Sequence, residues 1–208
     1  DDGVGTEVFA NHFSANDRNL ENYSAETINA SGNWWGVGDA AAVAASVTGD
    51  VDFTPFLTNG TDSDGGAAGF QGDFSDLYVT ALGEQVGAGG RIAEGIGLAS
   101  GSTVTVGAGD FAEDLDINAV VNLIFTDTVT VDSLTTSAGG TIAMEGVLAS
   151  DTGGIDINDP IDVTGDLSFT SATNITVDDD MASGEVAASV SLTSASNGGL
   201  ISIASGKG

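Results

Sequence analysis

Hydrophobic and polar residues alternate in short runs along most of the chain. Val104-Thr105-Val106, Val129-Thr130-Val131, Ile155-Asp156-Ile157, Ile161-Asp162-Val163, Leu167-Ser168-Phe169, Ile175-Thr176-Val177, Val190-Ser191-Leu192 and Leu200-Ile201-Ser202-Ile203 have the period of a half-buried strand. Gly, Asp, Asn and Ser separate them, as in Ala138-Gly139-Gly140, Thr152-Gly153-Gly154, Asn158-Asp159-Pro160 and Asn197-Gly198-Gly199. From Ile155 to Ile161 is six residues, from Ile161 to Leu167 six more, and from Ile155 to Ile175 twenty. Several three-residue strands inside a period near twenty describe one coil of a parallel β-solenoid, whose inner face is covered only when coils stack. The competing all-β arrangement is an antiparallel β-sandwich, for which these strands are short. Two segments depart from the alternation. Arg91 to Ala99 places Ile92, Ile96 and Ala99 on one helical face, although Gly95 and Gly97 weaken a helix by about 1 kcal/mol each. Asp39 is a candidate N-cap for the alanine-rich stretch that follows it.

Composition fits sharp corners. Glycine is 31 of 208 residues, and Asn and Asp also tolerate the left-handed conformations that turns require. The 31 acids face only 3 bases, for a formal charge of −28. Three bases cannot displace phosphate counterions, which excludes a nucleic-acid binder. The absence of cysteine excludes disulfides and thiolate metal sites. No apolar stretch is long enough for a membrane-spanning helix. The regular apolar content, 41% of residues, argues against a disordered acidic tail. The chain opens Asp-Asp-Gly, without an initiating Met or signal peptide, so it is expected to be a mature or excised piece of something longer. Such acidity with almost no lysine suits salt or abundant divalent cations, hence an extracellular or cell-surface setting.

Residues 28–57 carry Ile28-Asn29-Ala30-Ser31-Gly32-Asn33-Trp34-Trp35-Gly36, the alanine stretch, and Val51-Asp52-Phe53-Thr54-Pro55-Phe56-Leu57. This resembles the last coils of bacterial right-handed parallel β-helix surface proteins, in which an Asn-Trp-Trp-Gly turn precedes a short helix and a closing strand. Gly90 to Ile96, followed by Ser102 to Glu113, resembles the capping helix and first coil of such a β-helix; Gly109-Asp110-Phe111-Ala112-Glu113 departs mildly from the usual Gly-Thr-Tyr-x-Glu ending. From about residue 120 the repeats resemble large haemagglutinin-like adhesins. The resemblance implies an all-β chain of right-handed β-helix segments with short capping helices. It would comprise terminal coils of one helix at 1–57, a Gly- and Asp-rich linker at 58–81, and a capping helix with the start of a second solenoid at 82–208. Open coil faces at both ends of the chain imply stacking on more solenoid, either of the parent chain or of other copies.

Function follows from setting more than from catalytic residues. β-Helices include polysaccharide lyases and hydrolases, but lyases need bases to hold an anionic substrate, and Arg18, Arg91 and Lys207 are widely separated. Hydrolases need two carboxylates facing each other across a sugar, whereas Asp178, Asp179 and Asp180 are consecutive and alternate in direction when extended. The expectation is a non-enzymatic structural protein of an adhesin, sheath or filament, with copies of itself as partners. The alternative is a carbohydrate-active or carbohydrate-binding β-helix, with Trp34 and Trp35 as a stacking platform for a cell-surface or matrix polysaccharide. An ice- or mineral-facing surface is a third possibility. Calcium is the cation that the acidic turns at Asp62, Asp64 and Asp178 to Asp180 would take, the alternative being that these are solvated turns. Sequons at Asn22, Asn29, Asn59 and Asn174 are glycosylation candidates in a secreted chain. Glu94 and Glu113 are candidate ion-pair partners for Arg91. His12, the single histidine, reads as a strand-face residue.

Overall fold

The computed structural model describes residues 5–14, 16–86, 89–100, 102–182, 188–195 and 199–203. Lys207 and the Asn197-Gly198 part of one expected turn lie outside them. The chain divides into two compact units, residues 1–102 and 103–208.

In the second unit, parallel pairing replaces the hairpins that a sandwich would need. Thr103–Val106, Asn122–Val131, Ile142–Ser150 and Ile161–Ser171 pair in that order, and Met181–Ala182 and Val190–Ser194 both pair with Ile161–Ser171. A second sheet stacks Asp114–Ile117, Ser133–Thr136, Ile155–Ile157, Ile175–Val177 and Ile201–Ile203. Val104, Leu123, Met144 and Val163 are successive partners, 19, 21 and 19 residues apart. Leu115, Leu134, Ile155 and Ile175 follow steps of 19, 21 and 20. The unit is a β-solenoid, and its repeat is the one the spacing predicts.

The inward side chains form ladders because identical faces of successive coils superpose. Along Ile161–Ser171 the inward positions are 161, 163, 167, 169 and 171, and Leu123, Met144, Leu134, Phe169 and Ile175 are buried. Each such side chain contributes about 1.5–3 kcal/mol by leaving water. The long strands bend where the register shifts, between Ile124 and Thr128 and again between Met144 and Gly146. Gly146 makes its corner at φ +107°, and any Cβ there would strike the Phe125 carbonyl oxygen.

The first unit also coils, with longer repeats. Glu7 bridges Asn29, His12 bridges Trp34, Leu20–Glu21 pairs with Val47–Thr48, and Ile28–Asn29 pairs with Val51–Asp52, all parallel. Trp35, Val43, Val51, Phe53 and Phe56 form its core, against which Val8, Phe13 and Leu20 pack. Asn33, fully buried, ties two coils together: its amide nitrogen donates to the Val8 and Ala30 carbonyls at 2.6 and 2.7 Å, and its oxygen accepts from Asn11 N–H at 2.7 Å. Helix α1, Ala40–Ala45, begins at Asp39, whose carboxylate accepts from Ala42 N–H at 2.8 Å as its sequence position predicts. After Phe56–Leu57 the chain makes a loop, held by an Asp62–Gly72 bridge, and returns as Asp76–Val79 antiparallel to that strand. Helix α2, Arg91–Leu98, buries Ile92, Gly95 and Ile96 and packs against Asp76–Val79 within this unit.

Candidate functional site

The last described coil of the second unit presents an open edge. No described strand pairs beyond Ile201–Ile203. Ile201 continues the ladder of Ile175, and Ile203 that of Val177. Ile175 and Val177 are 0% and 2% exposed, whereas Ile201 and Ile203 are 40% and 54% exposed. Leu200 and Val190 are exposed beside them. The side chains are of the type the interior selects; what differs is that no rung follows among the described residues. An edge of this kind offers unpaired backbone N–H and C=O groups as well as apolar surface, so another β-coil is its natural complement.

Between coils, acids meet hydroxyls and backbone N–H groups. Ser133 Oγ donates to Asp114 and Ser137 Oγ to Asp116, each at 2.6 Å. Ser189 donates through both N–H and hydroxyl to Asp166, which holds that carboxyl below its ordinary pKa. Asp159, nearly buried, accepts from Ala138 and Gly139 N–H at 2.8 Å each, so a turn of one coil is clamped to the turn beneath it. Asp132 differs. Desolvation, then the carboxylates of Asp151, Asp114 and Asp110, raise its pKa. Like charges stack at that corner.

The sequence-derived candidates are scattered. Asp62 Oδ1 accepts from Asp64 and Gln71 N–H, and Asp64 Oδ1 from Gly66 N–H, so both carboxylates shape their own loop. Asp179 Oδ1 accepts from Asp180 N–H, while the backbone of Asp178 and Asp180 bonds to Ile157 and Ile161. Among the described residues, no three His, Asp or Glu side chains form a group that could hold a metal ion. Trp35 is 2% exposed, stacked on Phe13 at 4.8 Å and edge-on to Phe53, so its ring belongs to the core. Trp34 is half-buried and lies across Gly60, where a Cβ would overlap the indole. A sugar platform would therefore rest on Trp34 alone. The Asn22 amide is buried and donates to the Glu26 and Asp50 carbonyls, both at 2.7 Å. Asn29 and Asn59 are half-buried, and their side-chain oxygens cap Ser31 and Thr61 N–H. Asn174 is exposed, with Oδ1 accepting from Leu200 N–H. His12 stands edge-on to Phe70.

Arg91 does not pair as its neighbours in sequence suggest. Its guanidinium donates to the carbonyls of Thr80, Leu82 and Gly83, while Glu94 accepts from Gln85 Nε2. Arg91 thereby fastens the 80–83 turn to α2. Glu113 is buried. The residue that alternation misplaces is Asp52. Between inward Val51 and Phe53 it should face water, yet it is fully buried, with Oδ2 accepting from Val86 N–H at 2.6 Å. Burial pushes its pKa up to about 6; Glu94 adds to the rise, and the Val86 N–H and Arg91 oppose it.

Comparison with protein-family models, curated proteins and solved structures found no match for this chain.

Proposed function

We propose that this chain is a non-enzymatic, extracellular structural solenoid, a segment or subunit of a surface adhesin, sheath or filament, which stacks end to end with copies of itself. The open edge at Ile201–Ile203 carries the proposal: its apolar rungs repeat buried ones, and only another coil supplies both the backbone pairing and the cover they lack. The first coil of the first unit, bridged through Glu7 and His12 to the coil that follows, is the complementary surface on a second copy. Such head-to-tail contact is heterologous and extends into a filament if it does not close into a ring. The −28 charge opposes association, so salt or a divalent cation such as calcium would favour it by screening.

Electron microscopy of the purified chain at low salt, at high salt and with calcium tests this. Fibres with a fixed axial repeat, more abundant when charge is screened, are expected. Dispersed particles under all three conditions would overturn the proposal.

A further inference from the structure

A recess in the first unit has features that stacking does not use. Phe9, Phe74 and Leu98 supply its apolar surface, Asp73, Ser63 and Ser100 its polar groups, and its volume is about 350 Å³. Phe9 and Phe74 stack with centroids 5.4 Å apart and planes 21° apart. The pair passes over Gly32, where a Cβ would run into both rings. Phe9 nonetheless remains 41% exposed, a ring held in place with part of its surface left in water.

The polar groups complement a donor. Asp73 Oδ1 accepts from Ser75 N–H at 3.0 Å and the carboxylate also bonds the Ser75 side chain, which leaves part of its four-lone-pair acceptor capacity for a further donor. The Ser75 hydrogen bonds hold Asp73 below its ordinary pKa, so it is ionised at neutral pH. Ser63 has committed its hydroxyl proton to the Gln71 carbonyl at 3.0 Å and offers lone pairs. Among the described residues, no basic side chain lines the recess. Carboxylate oxygen, hydroxyl lone pairs and aromatic faces all attract a cation, and a chain at −28 concentrates cations at its surface.

We propose that this recess binds a small organic ammonium ion, with the ammonium on the Asp73 carboxylate and the apolar body against Phe9, Phe74 and Leu98. The site does not depend on end-to-end assembly. With one side open and a small ligand, affinity falls in the millimolar range.

Benzylammonium titrated into the full chain at low salt, followed residue by residue by NMR, tests it against benzyl alcohol, which has a similar shape and no charge. Saturable shifts centred on Phe9, Phe74, Leu98 and Ser100 are expected, with benzyl alcohol about tenfold weaker. Asp73→Asn keeps an acceptor for Ser75 N–H and removes the charge; it should weaken benzylammonium about tenfold and leave benzyl alcohol unchanged. Asp127→Asn, an exposed acid of the second unit, controls for general attraction and should have little effect. Unsaturable shifts spread over the acidic surface, equal binding of the alcohol, or equal losses in the two variants would each overturn the proposal.

Discussion

Several carboxylates in this chain find their partners in hydroxyls and backbone N–H groups rather than in basic side chains. Asp114, Asp116 and Asp166 take hydroxyl protons from serines one coil away, and Asp159 takes two backbone N–H groups. These hydrogen bonds give several acids a partner in a chain that has 31 acids and only 3 bases. Asp52 works in the opposite direction. Its folded pKa, about 6, lies above the ordinary value, so its contribution to stability is complete below about pH 4 and is lost as pH rises through 6. Urea unfolding at pH 4 and pH 7 should show Asp52→Asn reducing the difference between the two by about 2 kcal/mol. An unchanged difference would mean the carboxyl is hydrated. This residue was illegible in the sequence because its burial involves the distant segment that contains Val86, which no local alternation records. That at least one of Trp34 and Trp35 packs inward was expected of a terminal turn; which one was hidden, since only packing against Phe13 and Phe53 draws Trp35 inward.

At the scale of strands, stability comes from rungs with neighbours on both sides. Leu134 lies between Leu115 and Ile155, whereas Ile201 has a described partner only in Ile175. Leu134→Ala should therefore cost about 2–5 kcal/mol in urea unfolding of the dispersed chain, and Ile201→Ala about 0.5 kcal/mol or less. Equal costs would refute the ladder as the stabilising unit. The coil repeat was legible because β-branched residues alternate with polar ones at Ile155–Ile157, Ile161–Val163 and Ile175–Val177, with Gly or Asp between them. Ile142–Ser150 was harder to recognise. Its Ala, Met, Glu and Leu favour helix, and Gly146 interrupts it, yet pairing with Asn122–Val131 and Ile161–Ser171 overrides that local preference. Both helices were legible, α1 from its Asp39 cap and α2 from the spacing of Ile92 and Ile96.

For the whole molecule, the balance is between apolar rungs that seek a neighbour and a charge of −28 that repels one. The sequence disclosed the charge and the repeat and implied uncovered coil faces; it could not single out Ile201 and Ile203 as exposed while Ile175 and Val177, of the same type, are buried. Screening should tip the balance, because the Debye length falls from about 10 Å at 0.1 M salt to about 3 Å at 1 M. Sedimentation velocity of the wild-type chain and Ile203→Asp across this salt range, with circular dichroism confirming that both are folded, shows whether the exposed rungs drive association. Wild-type species are expected to grow with salt and protein concentration, and the Asp variant to remain small because its last described rung carries a charge. A wild-type chain that stays monomeric at high salt, or an Asp variant that associates equally well, would contradict association through these rungs.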